Sequence, residues 1–282
     1  MIKSFAELQI SKFSSFDGIE YKTAKFLNKE FPFHFHQEWS LALIEAGSEL
    51  IKIDKVEILL NTDALILIPP FLAHSNSGNL NAYWQYRCLY INSDTANYFL
   101  KLRGIYEPVI QQTNYCISYN KILVNKFKQI KNNQLKNWEL EKLLSEIFVS
   151  LYFNNRELSL KCNYKANQIF NHNEIIDYLN SYNQNKITLE HLSSKFKYDK
   201  FKLMRSFKKK FGVSPQEYIT SIRIENAKQL IFKNNSLVDI ALSCGFYDQS
   251  HFTNTFKKFV GLTPLDYKNS CNIFQDIKIY KV

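Results

Sequence analysis

Basic, aromatic and sulfur-containing side chains recur every three or four residues between positions 200 and 208. Residues with this spacing share one face of a helix, so Phe201, Met204 and Arg205 would point in the same direction. The planar guanidinium of Arg205 can pair with O6 and N7 of a guanine, which is worth about 1–3 kcal/mol of discrimination, and Phe201 can contact a thymine methyl group. The pattern therefore predicts a helix that reads base edges in the major groove of DNA.

A second group of polar side chains follows in a segment that repeats this one at a distance of 49 residues. It contains Gln249, Ser250 and Asn254, and an amide side chain can pair with the edge of an adenine. Lysines near the ends of both segments suit contacts with phosphates, which position a protein on DNA without reading its sequence. The lysines expected to contact phosphates are Lys200, Lys208, Lys209, Lys257 and Lys258.

Both groups belong to a duplicated unit. The sequence FKKKFGVSPQEY at 207–218 returns as FKKFVGLTPLDY at 256–267, with six of twelve residues identical. In each copy a glycine can end one helix, and Ser214 or Thr263 followed by proline can begin the next. The apolar residues expected to hold each helix pair together are Leu189, Leu192, Leu203 and Phe207 in the first copy, and Val238, Ala241, Phe252 and Phe256 in the second. The pattern predicts two helix-turn-helix units.

Positive charge is concentrated on the first unit. The chain has 282 residues and a formal charge of +10, and residues 186–210 alone carry nine basic side chains against two acidic ones. This distribution suits a nucleic-acid partner, and it predicts that the first unit anchors the protein on DNA while the second discriminates or responds. Helices in this part of the chain are predicted at roughly 168–183, 188–196, 199–211, 215–233, 237–244, 248–260 and 264–269.

The chain from about Ile175 to Tyr267 carries the segments ITLEHLSSKFKY, SPQEYITSIRIENAKQLI and DIALSCGFYDQSHFTNTFKKFVGLTPLDY. In these segments it resembles the AraC/XylS family of bacterial transcription regulators. The resemblance implies that both units insert into successive segments of the major groove on one face of the DNA, held by the helix at 215–233. It also implies that the residues facing the bases are Phe201, Met204, Arg205, Gln249, Ser250 and Asn254.

Short alternating apolar segments, punctuated by turn residues, fill the chain from about residue 20 to 112. Evenly spaced short strands predict a sandwich or a small barrel, and helical periodicity over 121–153 predicts two helices after it. We therefore expect an α+β protein with an N-terminal small β-barrel, following helices and a C-terminal all-α domain. The predicted boundaries are 1–112 for the barrel, 113–166 for a helical dimerisation segment with a linker near 154–167, 167–270 for the DNA-binding domain and 271–282 for a tail.

Three histidines in the N-terminal region have a spacing that can hold a metal ion. His34 and His36 share one face of a strand, and His74 follows two prolines at the end of a later strand. The pattern resembles that of cupins, and many AraC-type regulators carry a cupin-like sensor domain at this place. Phe71 stands where the cupin pattern has a glycine, and the place of its acidic ligand is not acidic. We therefore expect no metal or other cofactor, and histidines that line or brace the barrel.

A small barrel of this type encloses a cavity of ligand size, so we expect it to bind an unidentified small-molecule effector. The residues expected to line this effector pocket are His36, His74, Trp84 and Tyr86. The apolar stripe from Trp138 to Leu151 is long enough either to pair with a second copy, which would give a homodimer, or to pack against its own barrel.

These features predict a sequence-specific DNA-binding transcription regulator, a ligand-responsive activator that contacts RNA polymerase and is not an enzyme. A metal-dependent cupin enzyme fused to a DNA-binding tail and a sequence-indifferent architectural protein are the alternatives. The N-terminal sequence MIKSFAELQI lacks the features of a signal peptide, the apolar run ALILIPPFLA is too short to cross a bilayer, and five scattered cysteines suit reduced thiols. We expect a cytoplasmic protein with no membrane contact.

Overall fold

The computed structural model describes residues 5–12, 18–53, 56–78, 83–106, 115–130, 135–161, 174–175, 178–179, 187–233 and 235–272. Within these ranges, ten strands form two antiparallel sheets in the N-terminal domain. The strands are β1 (Phe5–Lys12), β2 (Ile19–Leu27), β3 (Glu30–His34), β4 (Trp39–Ala46), β5 (Ser48–Ile53), β6 (Val56–Asn61), β7 (Leu65–Ile68), β8 (His74–Gly78), β9 (Tyr83–Ile91) and β10 (Cys116–Ser118). The larger sheet has the order β1-β2-β9-β4-β7-β10, and the smaller has the order β3-β8-β5-β6.

Among the described strands, no hydrogen-bonded ladder joins the two sheets, so the prediction of a closed barrel is wrong. The sheets instead face each other, and side chains from both, such as Ile44 and Ile51, share one core. The chain passes from β4 to β5 at Gly47, which has a φ of +73° and where a Cβ would collide with the carbonyl oxygen of Tyr83. Only glycine fits this bend, which takes the chain out of one ladder and into the other.

Three helices follow the main run of strands: α1 (Ser93–Lys101), α2 (Lys121–Gln129) and α3 (Asn137–Lys161). Helix α1 lies inside the region that was predicted to consist of strands. It begins because the Asn92 side chain accepts a hydrogen bond of 2.8 Å from the Thr95 amide, so a residue that looks like a turn signal acts as a helix cap. Helix α3 continues to Lys161, into the predicted linker near 154–167, of which 162–167 lie outside the described residues. The stretch 154–161 is polar but contains good helix formers, which extend a helix that has already begun.

The apolar stripe of α3 packs against its own domain. Phe148 of α3 lies edge-on to Trp39 of β4, with ring centroids 5.4 Å apart, and both side chains are fully buried. Phe99 of α1 and Phe127 of α2 belong to the same core. The inner face of α3 is therefore occupied within one chain, although Trp138 at its start is exposed. Dimerisation through this segment stays a prediction.

The C-terminal region is helical, as predicted. Its helices are α4 (Leu189–Phe196), α5 (Lys200–Phe211), α6 (Pro215–Ile231), α7 (Leu237–Ser243), α8 (Gln249–Val260) and α9 (Pro264–Asn272). The predicted helix at 168–183 falls mostly outside the described residues, of which 174, 175, 178 and 179 are helical. No described helix of the chain is both long enough and apolar enough to cross a membrane.

Side-chain caps define where these helices begin. Ser214 and Glu217 form a reciprocal capping box at the start of α6, and Gly212 and Gly261 end α5 and α8 in left-handed conformations. The other N-caps are Thr188, Asp199, Ser236, Asp248 and Thr263, whose Oγ1 accepts a hydrogen bond of 3.2 Å from the Asp266 amide. The caps and glycine stops that the repeat predicted are therefore present in both copies.

The pairs α4–α5 and α7–α8 form the two helix-turn-helix units. The predicted inner residues are buried or half-buried in both units, with one exception: Val238 is 48% exposed. Ile240 takes the inner position of α7 beside Ala241. Val238 lies two residues, and thus more than half a helical turn, away from Ile240 and points outward. The prediction for Val238 was wrong because it transferred the register of the first copy unchanged.

The N-terminal domain contributes side chains to both units. Phe31 of β3 is buried in the apolar cluster of the second unit, and Phe35, just after β3, is buried in that of the first. Helices α6 and α8 pack against β3, and α9 packs against β1. Helices thus cover these two sheet edges, which would otherwise expose unpaired backbone groups.

Candidate DNA-binding surface and interdomain cavity

The face of α5 that was predicted to read bases is exposed. Phe201 is 63% exposed, and Met204 and Arg205 are exposed beside it. Leu203 and Phe207 on the opposite face are buried in the core of the unit. Packing of its inner face therefore holds α5 in place. Its outer face carries a large aromatic side chain and a guanidinium group that can contact a base pair.

The corresponding face of α8 is also exposed. Gln249, Ser250 and Asn254 lie on its first two turns, and none of them belongs to the core of the second unit. Tyr247, just before the capping residue Asp248, is 76% exposed and extends the same end of the helix. Tyr247 was not among the predicted site residues, although an aromatic side chain beside a recognition helix is a signal for it in the sequence.

The predicted phosphate contacts fall into two environments. The exposed lysines near the ends of α5 and α8 are Lys208, Lys209, Lys257 and Lys258. Lys200, at the start of α5, is half-buried and forms an ion pair with the Glu190 side chain of α4. Because this pair lies at the surface, where water and salt screen it, a DNA phosphate can replace Glu190.

A cavity of about 50 Å³ lies between the N-terminal sheets and the C-terminal helices. The four side chains predicted to line the effector pocket, His36, His74, Trp84 and Tyr86, are all in its wall. The C-terminal domain contributes Lys228 of α6, Phe259 and Val260 of α8 and Tyr267 of α9 to the wall. An occupant of this cavity would therefore contact both domains.

The ionisable side chains of the cavity wall that were missing from the prediction include Lys22 of β2, Glu49 of β5 and Lys228 of α6. Burial, and then the charge of Lys228, lower the pKa of Lys22 to about 8. Burial raises the pKa of Glu49 to about 7, although Asn76 donates a hydrogen bond to its carboxylate. The cavity thus holds ionisable groups that titrate near neutrality, as functional sites often do.

A signal for two of these residues was present in the strand pattern. Lys22 lies on the same face of β2 as the inward-facing residues Ala24 and Phe26. Glu49 likewise lies on the same face of β5 as Ile51. A charged residue at an inward position of an alternating strand is costly unless it has a partner or a function. Lys228 gave no such signal, because α6 packs against several elements and has no simple apolar face.

His34, His36 and His74 form a buried cluster in the same wall. The ring centroids of His34 and His74 are 4.5 Å apart, and those of His34 and His36 are 5.0 Å apart. One nitrogen from each histidine lies within 4.8 Å of the corresponding nitrogens of the other two. Burial lowers the pKa of all three imidazoles, to about 3 for His74.

Backbone carbonyl groups orient two of these rings. Nδ1 of His34 donates a hydrogen bond of 2.7 Å to the Pro32 oxygen, and Nδ1 of His74 donates one of 2.9 Å to the Leu72 oxygen. A carbonyl oxygen only accepts, so Nδ1 carries the proton in both neutral rings. The lone pair of each ring is therefore on Nε2.

The third ring faces the DNA-binding domain. The His36 side chain is 10% exposed, and its Nδ1 lies 3.5 Å from Oε1 of Glu225 on α6. The same Glu225 oxygen forms an ion pair of 2.7 Å with Lys228. Burial would raise the pKa of Glu225, but Lys228 and His36 outweigh it and lower this pKa to about 2. The carboxylate of Glu225 is thus held in its charged form between the two domains.

Comparison with known proteins agrees with this architecture. Residues 192–270 match the family model described as a helix-turn-helix domain, and residues 17–169 match the one described as an AraC-like ligand binding domain. The second match alone covers more than half of the chain. The chain belongs to the AraC family. The predicted family and fold class are thereby confirmed, apart from the closure of the barrel, and this AraC-family protein is a DNA-binding transcription regulator with a ligand-binding domain.

Two curated relatives are similar to this AraC-family protein. The uncharacterized HTH-type transcriptional regulator YbfI of Bacillus subtilis (strain 168) is 29% identical over 248 residues, which are 83% of this chain and 85% of the relative. The HTH-type transcriptional activator RhaS of Yersinia pestis (strain Pestoides F) is 33% identical over 97 residues, which are 34% of this chain and 36% of RhaS.

Solved structures of ToxT from Vibrio cholerae are similar in fold. One covers 90% of this chain and 99% of its own, with a TM-score of 0.63 and 13% identity. Another, ToxT bound to an unsaturated fatty acid, covers 96% of each chain, with a TM-score of 0.60 and 14% identity. At this identity the likeness shows that the AraC-family protein shares the two-domain fold. The roles of its individual site residues stay predictions.

Proposed function

We propose that this AraC-family regulator activates transcription in response to a small molecule that binds in the interdomain cavity. The observation that carries the proposal is the composition of the cavity wall, in which His36 and Tyr86 come from the N-terminal domain and Lys228 and Tyr267 from the C-terminal one. A ligand shifts an equilibrium only if it binds two states with different affinity. An occupant that contacts both domains meets this condition, because it binds best when they are docked in one arrangement.

On DNA, each unit presents its second helix to the major groove. The proposed base-reading residues are Phe201, Met204, Arg205, Gln249, Ser250 and Asn254, and the proposed phosphate contacts are Lys200, Lys208, Lys209, Lys257 and Lys258. Exposure of the first six on the outer faces of α5 and α8 supports this assignment. The charge excess on the first unit supports its role as the anchor.

Activation is proposed because the relative RhaS, which matches 97 residues of this chain, is named as an activator. An activator contacts RNA polymerase, which is therefore a proposed partner. A homodimer is proposed through the surface around α2 and α3, where Ile122 and Trp138 are exposed. Because the DNA partner lies with the bacterial chromosome, the cytoplasm is the proposed place of action.

The size of the cavity limits what it takes in the docked arrangement. At about 50 Å³ it holds a few water molecules or a small ion, whereas pockets for drug-sized ligands measure about 300–1,000 Å³. A larger effector, such as the unsaturated fatty acid in one ToxT structure, would have to separate the domains in order to enter. For a small occupant and for a larger effector alike, binding in the cavity is coupled to the docking of the two domains.

The experiment that tests this function is selection of genomic fragments by the purified protein, followed by reporter fusions of the recovered sites. We expect the fragments to share a sequence motif, and reporter activity to fall when the gene for this protein is deleted. Recovery of unrelated sequences would favour an architectural protein. A rise in reporter activity on deletion would show repression instead of activation.

The alternative of a metal-dependent enzyme is less favoured, because both family models that match the chain describe domains of DNA-binding, ligand-responsive regulators.

A further inference from the structure

The histidine cluster has the geometry of a metal-ion site. In His34 and His74 the Nδ1–H group is bound to a carbonyl oxygen, and this leaves Nε2 as the free ligand atom. Metal-binding histidines almost always donate their other ring N–H to a carbonyl or carboxylate group, which fixes the ring and the tautomer. The cluster therefore already has the outer hydrogen bonds that such a site requires.

The third histidine completes this pattern with a carboxylate. Nδ1 of His36 is buried without a hydrogen-bond partner among the described residues, and Glu225 Oε1 lies 3.5 Å away, longer than a well-formed hydrogen bond. A carboxylate that orients a metal-binding imidazole is a common arrangement. This carboxylate comes from α6, the helix that connects the two DNA-reading units. The outer shell of the cluster thus crosses the domain boundary.

The size of the cavity suits a small cation, although its wall also carries the ammonium groups of Lys22 and Lys228. The nitrogens lie within 4.8 Å of one another, against roughly 3.4 Å between ligands around tetrahedral zinc, so each ring has to move by about 1 Å or less. The register shift between Phe31 and His34 on β3 gives the backbone an irregularity that can absorb such a movement. The positive charge of Lys228 is already paired with Glu225.

We propose that His34, His36 and His74 bind a divalent transition-metal ion, with Zn²⁺ as the best-fitting probe, and that the ion fastens the DNA-binding domain to the sensor through His36 and Glu225. Three imidazoles select zinc, copper, nickel or iron over calcium and magnesium, which prefer oxygen ligands. A bound cation withdraws electrons from the His36 ring and strengthens its N–H as a donor to the Glu225 carboxylate. The ion also fixes the β3 segment, whose Phe31 and Phe35 reach into the two units.

The coupling half of this inference rests on the proposed function, whereas metal binding can be measured without DNA. Untagged, metal-free full-length protein is titrated with Zn²⁺ by calorimetry, and bound metal is counted after gel filtration. We expect about one ion per chain, at least tenfold weaker binding by His74→Ala, and parental affinity for the control His191→Ala, whose histidine is exposed on α4. Equal binding by the parent and His74→Ala, or no binding by the parent, overturns the site.

A second readout does not depend on whether His74→Ala folds. Co²⁺ bound to the parent protein shows a visible spectrum whose intensity reports tetrahedral nitrogen ligation, and Zn²⁺ should displace it in one step. An octahedral, weakly absorbing spectrum overturns the site.

The role of Glu225 is tested by Glu225→Gln, which keeps the shape of the side chain but removes its charge. We expect tenfold to hundredfold weaker Zn²⁺ binding, the usual effect of losing such a partner, and no change for Glu190→Gln on the surface of α4. Zn²⁺ should also change the affinity of the parent protein, but not of Glu225→Gln, for its selected DNA site by at least fivefold. Specific DNA binding without zinc binding overturns this inference and leaves the proposed function standing. Zinc binding without specific DNA binding overturns the proposed function and leaves the metal site standing.

Discussion

The ring of Phe35 in the N-terminal domain lies 4.4 Å from the ring of Tyr218 on α6. Tyr218 in turn contacts Phe207 of α5, with ring centroids 5.3 Å apart and the planes nearly perpendicular. All three side chains are fully buried. A side chain of the sensor domain therefore completes the core behind the first recognition helix, and the two domains should unfold together.

Replacement of Phe35 by alanine tests this shared core. Removing a buried phenylalanine ring typically costs about 3–5 kcal/mol, here divided between the two domains. We expect the single calorimetric transition of the parent to separate into two, because the substitution weakens the packing between the domains while most of each domain core remains. Phe99→Ala is the matched control, since Phe99 is equally buried but lies within the sensor core. If Phe35→Ala still unfolds in one transition, or Phe99→Ala also unfolds in two, Phe35 does not join the domains.

Arg205→Ala should remove discrimination at one base pair. A bidentate pairing with guanine is worth about 1–3 kcal/mol, and the decrease in affinity should be confined to the preferred sequence. The affinity is measured by fluorescence anisotropy on the selected site and on a set with each base pair changed. Lys209→Ala is the control, because replacing an exposed lysine that is expected to contact phosphate should weaken binding to every sequence alike. Uniform weakening by Arg205→Ala would show that it also contacts only phosphate.

The two units should differ in their salt dependence. Replacing Lys200 and Lys208 by alanine should flatten the slope of log affinity against log salt, by about 0.9 for each phosphate that the protein no longer neutralises. Replacing Lys257 and Lys258 should flatten it less, because residues 236–268 carry three lysines against three aspartates and have no net charge. Equal slopes for the two double variants would refute the division into an anchoring and a discriminating unit.

Glu49→Gln should change how stability depends on pH. In the folded protein, burial holds the pKa of Glu49 at about 7, against an ordinary value of 4.5. Between these two pH values the unfolded chain binds fewer protons than the folded protein, so this group makes stability fall as pH rises, by up to about 1.4 kcal/mol per pH unit. Above about pH 7 its cost no longer grows.

Urea unfolding at pH 5, 6, 7 and 8 measures this effect. The stability of Glu49→Gln relative to the parent should increase from pH 5 to pH 7 and then stay constant. Glu57→Gln, on the exposed side of β6, controls for the removal of one negative charge. A constant difference between Glu49→Gln and the parent across this range would mean that Glu49 is ionised in the folded protein throughout.

The sequence was sufficient to predict the helices of the DNA-binding domain, because their signals are local. Ser214 with Glu217 begins a helix, and Gly212 ends one, whatever the rest of the chain does. The register of α7 was not predictable in this way, since Ile240 rather than Val238 turns inward only when α7 packs in its unit. That β1 and β3 stay at open edges of their sheets was not predictable either, because the helices that cover them are distant in sequence.

Only the part of the cavity wall that the N-terminal domain supplies was predictable from the sequence. His36, His74, Trp84 and Tyr86 were expected to line a pocket inside a barrel, and they do share a wall. The opposite wall belongs to helices of the other domain, and nothing in the sequence indicates which face of α6 meets which strand. The roles of Glu225 and Lys228 therefore depend on the docking of the two domains, which no local pattern predicts.

Strand β3 and the two residues after it carry two of the three histidines of the cavity, His34 and His36, and the phenylalanines that enter the DNA-reading units. A substitution there alters recognition and response at once, so this segment should diverge slowly as the protein evolves. The cavity residues of β2, β7 and β9, such as Lys22, Ile66 and Cys88, are separated from this segment in the chain. Descendants that respond to new signals should therefore differ first at these positions, while β3 preserves the connection to transcription.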